Sequence, residues 1–221
     1  MPQDITRVLV IRHGETAWNR ESRIQGHIDI PLNDHGRWQA ERVGQALLDE
    51  PLAAIYSSDL QRAHDTALAI GDATGTEVRP EVALRERHFG EMEGLTHDEI
   101  LARWPIEGRR WRQRDPEFGP PGGETLLAFY ERCVAAATRL AAGHPGQTIA
   151  LVAHGGVLDC FYRAANGLDL SVPRSWRIGN ASVNRLLYSP QGFTMLSWAD
   201  DRHLQADDGL DEATDGAVAP A

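Results

Sequence analysis

Two histidines stand in the same short context, VLVIR-His13-Gly14 and IALVA-His154-Gly155, each where a β-branched apolar run ends. Imidazole is the side chain best matched to nucleophilic and proton-transfer work near neutral pH. In open α/β sheets ligands gather outside the carboxyl ends of the strands, so two His-Gly pairs delivered there imply one shared pocket. Arg12, immediately before His13, offers a planar fork suited to a phosphate dianion. Arg62 falls in the first turn of an expected helix, where free backbone N–H groups already favour an anion. Taken singly, either histidine also fits a structural role, and Arg62 a solvated helix charge. Together they point to one pocket at the sheet edge, with two imidazoles and positive charge suited to a phosphate-like anion.

These side chains need a scaffold of alternating strands and helices. Residues 6–12 and 148–153 read as buried strands, and 53–57 as a third. Residues 77–85 read as another strand, bent or at an edge because of Pro80. Helices are expected over 34–49, from about 60 to 70, over 96–104, over 124–142 and from 155 to 166, with Ser58 and Gln61 as a capping box for the second. The stretch 105–123 reads as an Arg-, Trp- and Pro-rich loop, and 183–198 as a hairpin that closes an edge or pairs with a second copy. The expected fold is α/β, a three-layer sandwich with a mostly parallel central sheet, helices on both faces and a small cap insertion at about 89–123. One domain spans 1–202, and 203–221 is an acidic, disordered tail.

Composition narrows the function. The net charge is −10, and Asp207, Asp208, Asp211, Glu212 and Asp215 concentrate half of it in the tail. No long basic surface is offered to nucleic acid or an anionic membrane. No signal-peptide pattern or membrane-spanning run is present, so a cytoplasmic protein is expected. Cys133 and Cys160, the only cysteines, read as reduced core thiols. No metal-ligand spacing, Walker loop or GxSxG elbow occurs. His27, His35, His64, His88, His97, His144 and His203 are expected to be surface or structural residues.

Arg12-His13-Gly14-Glu15-Thr16, followed by Trp18-Asn19, resembles the phosphohistidine motif of the histidine phosphatase superfamily, which includes the phosphoglycerate mutases. The resemblance continues through Gln25-Gly26, Ser57 to Ala63, Leu84-Arg85-Glu86, Phe89-Gly90, Glu93-Gly94, Gly123-Glu124-Thr125 and Ala153 to Gly156, in the order of that family. It implies His13 as nucleophile, with Arg12, Arg62 and His154 around the phosphoryl group and Glu86 protonating the leaving oxygen. It further implies Gly14, Glu15, Thr16, Asn19, Gln25, Gly26 and Gly155 as substrate- or phosphate-binding positions, and no metal. The implied activity is hydrolysis of small phosphomonoesters, with a small phosphorylated metabolite as partner and a monomer or homodimer as the working form. The alternatives are a phosphoglycerate mutase, with 2,3-bisphosphoglycerate as its cofactor, and a non-catalytic phospho-ligand-binding module. Arg109, Arg110, Arg112 and Arg114 form a basic cluster able to grip a second anionic group, and Trp104, Trp111 and Phe118 are expected around the mouth of the pocket.

Overall fold

The computed structural model describes residues 4–205. The strands are β1 (Thr6–Arg12), β2 (Leu52–Ser57), β3 (Val78–Pro80), β4 (Thr148–Ala153), β5 (Val183–Ser189) and β6 (Gly192–Asp200). They form one sheet in the order β3-β2-β4-β1-β5-β6. The first four are mutually parallel, β5 runs antiparallel to β1, and β6 runs antiparallel to β5. Helices are α1 (Ala17–Arg20), α2 (Asp34–Ala46), α3 (Gln61–Thr74), α4 (His97–Arg103), α5 (Pro105–Arg112), α6 (Leu126–Ala142) and α7 (Gly155–Asn166).

Alternation along β1 explains the three layers. Val8 and Val10 enter a core with Phe129, Cys133, Leu158 and Cys160 of α6 and α7. Leu9 and Ile11 enter the opposite core with Val43, Leu47, Ala67 and Ile70 of α2 and α3. A strand covered on both faces carries apolar residues continuously, which is why β1 and β4 stand out in the sequence. Cys133 and Cys160 are free thiols inside the first core. The hairpin supplies the outer strand β6.

Several elements differ from expectation for identifiable reasons. The strand expected over 77–85 pairs only through Pro80, because proline has no N–H to continue the ladder. Glu81 then accepts from the Ala83 amide and turns Val82–Leu84 into a short 3-10 helix, which aims Arg85 and Glu86 at the sheet edge. The Ser58–Gln61 capping box does not form. Leu60 is the N-cap of α3 without a side-chain bond, and the Gln61 amide donates to Asp29 at 2.8 Å. The stretch expected as loop after position 104 contains α5, since Pro105 occupies the first helical position, where its missing N–H costs nothing. The insertion has a small core of its own, Met92, Ile100 and Phe118, on which Trp104 and Trp111 pack. His203 and Leu204 join the body through a short 3-10 turn, the His203 carbonyl accepting from Arg42. The rest of the acidic tail lies outside the described residues.

Candidate active site

β1 and β4 are adjacent and in parallel register, with Arg12 opposite Ala153, so the next residues, His13 and His154, leave the same sheet edge together. Their ring centroids are 5.2 Å apart. His13 is buried, and its Nδ1 lies 2.7 Å from the Gly14 carbonyl. A carbonyl only accepts, so that Nδ1 carries the proton and Nε2 keeps a free lone pair. Burial, with Arg62 and Arg12 nearby, holds the His13 ring well below the usual imidazole range, so it is neutral at pH 7.

The two guanidinium groups are anchored by backbone carbonyls. Arg12 donates to the Ile178 carbonyl at 2.7 Å, and Arg62 to those of Gly26 and Ile28 at 2.8 and 2.9 Å. Both Nε atoms remain buried without a partner. Burial brings each down to about 10, still fully charged at neutral pH. Arg62 is thus a buried residue, not the solvated helix charge that its place off the apolar stripe allows.

Arg12, His13, Asn19, Gln25, Gly26, Arg62, Glu86 and Gly155 line one cup of about 190 Å³, together with Arg23, Ile24 and Phe89. His154 is fully buried beside His13 and is not among the residues lining the cup; its Nε2 is 2.8 Å from the Ser58 hydroxyl and its Nδ1 has no partner. Burial and then Arg62 also push its pKa well down. Glu86 accepts from the Arg87 amide at 2.8 Å and from the Gly156 amide, at the start of α7, at 2.9 Å. A Cβ at position 156 would come 2.2 Å from Glu86 Oε1, so glycine there is what lets the carboxylate reach the helix end. A second cavity, about 450 Å³, shares Glu86 and Phe89 with the cup and opens toward Trp111, Arg112, Arg114 and Asp159.

Three expected pocket residues sit behind the cup instead of lining it. The Gly14 amide donates to Thr66, and a Cβ on Gly14 would lie 2.3 Å from the Gly36 carbonyl. Glu15 accepts from Asn33, and Thr16 caps α1. They hold the His13 loop against α2 and α3. Trp111 and His97 form one wall of the second cavity, stacked at 4.3 Å, whereas Phe118 is buried inside the insertion and Trp104 packs on its core. Of the basic cluster, Arg110 pairs with Asp115 and Arg114 with Asp159, leaving Arg112 on the cavity.

Some contributors escape sequence reading. The Asn180 side chain donates to the His13 carbonyl at 3.0 Å and to Asn19 Oδ1 at 3.3 Å, tying both to the loop before β5. Nothing local marks it. Ser58 and His27, the latter donating to the Glu86 carbonyl at 2.9 Å, fix His154 and the Glu86 backbone. Among the described residues no group of three or more His, Cys, Asp or Glu side chains is arranged to hold a metal ion, and no helix is long and apolar enough to cross a membrane.

The two neutral rings carry a stability prediction. An unfolded imidazole titrates near 6.5, whereas these buried rings resist protonation. Below that pH the unfolded chain therefore binds more protons, and stability falls as pH falls. The melting temperature should drop by several degrees between about pH 7.5 and 5.5, above the carboxylate range, and His154→Gln should flatten the slope. A wild-type melting temperature constant over that window would contradict the neutral buried rings.

Comparison with known proteins agrees with the geometry. Residues 8–201 match the family model described as the histidine phosphatase superfamily, branch 1. The chain is 40% identical to phosphoglycerate mutase-like protein 4 of Arabidopsis thaliana, over 91% of this chain and 88% of that one. It is 36% identical to the metal-independent phosphoserine phosphatase of the same plant, over 98% and 91% of the two chains. Among solved structures, mycobacterial glucosyl-3-phosphoglycerate phosphatase in complex with VO3 superposes with a TM-score of 0.74 at 36% identity, covering 81% of this chain and 90% of that chain.

Proposed function

Since the chain belongs to the histidine phosphatase superfamily, we propose that it hydrolyses small phosphomonoesters through a phosphohistidine formed on His13. The observation that carries this is the locked tautomer of His13, whose free Nε2 shares a cup with two buried guanidinium groups and a carboxylate. In the first step Nε2 attacks phosphorus in line, the P–O bond to the alcohol breaks, and Glu86 gives that oxygen a proton. Arg12, Arg62 and the unpartnered Nδ1 of His154 stabilise the equatorial oxygens. In the second step water attacks the phosphohistidine, Glu86 takes its proton, and His13 is restored with release of inorganic phosphate. Asn19, Gln25, Gly26 and Gly155 shape the cup around the phosphoryl group.

No step calls for a metal, and the metal-independent phosphoserine phosphatase among the relatives supports this. The mutase reading is supported by the mutase-like protein at 40% identity and by probable phosphoglycerate mutases of Klebsiella pneumoniae at 34%. Two relatives named as phosphatases favour hydrolysis. We assign the protein to the cytoplasm, where two unpaired thiols are at home.

The deciding assay offers p-nitrophenyl phosphate with excess chelator, and separately 3-phosphoglycerate with catalytic 2,3-bisphosphoglycerate. Release of inorganic phosphate in the first is the expected result. Formation of 2-phosphoglycerate faster than phosphate release would establish the mutase instead. Inertness toward a broad phosphoester panel would leave a binding module.

A further inference from the structure

The second cavity holds charges that the transfer chemistry does not use. Asp159, one turn along α7 from Gly156, lines it and is 5% exposed. Its Oδ2 accepts from Arg114 Nη2 at 2.6 Å and from Arg163 Nε at 2.9 Å. Arg114 is itself held by the Leu170 carbonyl at 2.8 Å, and Arg163 by those of Asp169 and Val172. Asp159 Oδ1, in contrast, is buried with no hydrogen-bond partner. A buried carboxylate oxygen left without a donor is costly, and such an atom is the natural counterpart of a missing ligand group.

Two cations share the cavity. Arg112 and Arg174 both line it, both are exposed, and neither has a hydrogen bond or ion pair among the described residues. Arg174 lies near enough to Arg12 to act on its charge, which places it beside the cup. Glu86 lies on both cavities, so the atoms of an alcohol beyond the oxygen it protonates extend into the second one. Glu86 accepts from the Gly156 amide and Asp159 follows one turn later on α7, so both carboxylates line the second cavity.

We propose that Asp159 is a specificity residue, its Oδ1 accepting a hydrogen bond from the alcohol portion of the substrate while Arg112 and Arg174 attract an anionic group on the same alcohol. This rests on the phosphatase reading above and narrows its substrate class. The favoured ester carries a carboxylate or second phosphate together with a hydroxyl or ammonium donor on the same alcohol. Arg114 and Arg163 act through Asp159 as positioning residues, so Arg114 is not a ligand for the anion.

Four esters test the proposal: O-phosphoserine (ammonium and carboxylate), 3-phosphoglycerate (hydroxyl and carboxylate), 3-phosphonooxypropanoate (carboxylate only) and phosphoethanolamine (ammonium only). The kcat/KM of one of the first two should exceed that of both single-group esters by about tenfold or more, the size of a charge-assisted hydrogen bond. Which of the two leads identifies the donor. In Asp159→Asn the ratio of the leading ester to 3-phosphonooxypropanoate should collapse toward one. In the Arg112→Ala, Arg174→Ala double variant the ratio of O-phosphoserine to phosphoethanolamine should collapse instead. Each ratio is taken within one preparation, so partial misfolding cancels. Equal kcat/KM across the series, or an unchanged ratio in Asp159→Asn, would overturn the proposal while turnover of p-nitrophenyl phosphate left the phosphatase reading standing. A wild-type protein inert to every ester would remove both.

Discussion

His13→Ala is expected to lower turnover of p-nitrophenyl phosphate by a factor on the order of 10⁴ or more, the scale of losing a covalent nucleophile. No neighbour can replace it. His154 is fully buried, and its Nε2 is held by Ser58. Glu86 is already required as the acid and then the base of the two steps. Loss of one ring from a buried site also leaves the Gly14 carbonyl without its Nδ1 donor, so circular dichroism and melting temperature must accompany the assay. Acid-labile radioactive phosphate should be trapped on wild-type protein by rapid quenching and be absent from the variant. Residual turnover above about a hundredth of wild type in folded His13→Ala would defeat the mechanism, because the remaining cup can only orient water.

Arg62→Ala should strike both activity and stability. Removing one buried, preorganised charge from the cup is expected to lower kcat/KM by about 10²–10³-fold. The same change strips the Gly26 and Ile28 carbonyls of their donors. Leaving the buried Gly26 acceptor unpaired costs about 1–3 kcal/mol, so the melting temperature should fall as well. Arg62→Lys should recover little, since one ammonium cannot bridge two carbonyls and also face the phosphoryl group. Parallel kinetics and thermal melts decide the matter. A variant within tenfold of wild-type kcat/KM would mean that Arg62 only braces the Gly26 loop.

How much of this was legible in the residues follows from where each sits. His13 and His154 announce themselves because the strands before them are covered on both faces and therefore spelled in unbroken apolar residues. Arg12 came with them. Glu86 lies in a loop without such a marker, and only the resemblance to a family singles it out, whereas Arg62 is marked by its place in the first turn of α3, a place that a solvated charge could also take. Asn180 stayed invisible, because its importance comes from a chain crossing that brings residue 180 onto the carbonyl of residue 13. The capping box at Ser58 was misread for a related reason: the hydroxyl that could have capped α3 serves His154 instead. Gly14, Glu15 and Thr16 were placed in the pocket because neighbours of a nucleophile are easily mistaken for ligands. Their partners are α2, α3 and their own turn. α5 was missed because its apolar residues are too few to draw a stripe, and it is held in place by the small core of the insertion.

That small core separates two kinds of inheritance. The cup is built on strand ends locked between the two large cores, while His97, Trp111 and Arg112 of the adjoining cavity wall belong to the insertion, whose apolar cluster of Met92, Ile100 and Phe118 is separate from both. Substitutions in the insertion can repack locally without disturbing the register of β1 against β4. A lineage, or a protein engineer, can therefore retarget such an enzyme to a new alcohol by rewriting the flap and leaving the reactive machinery untouched.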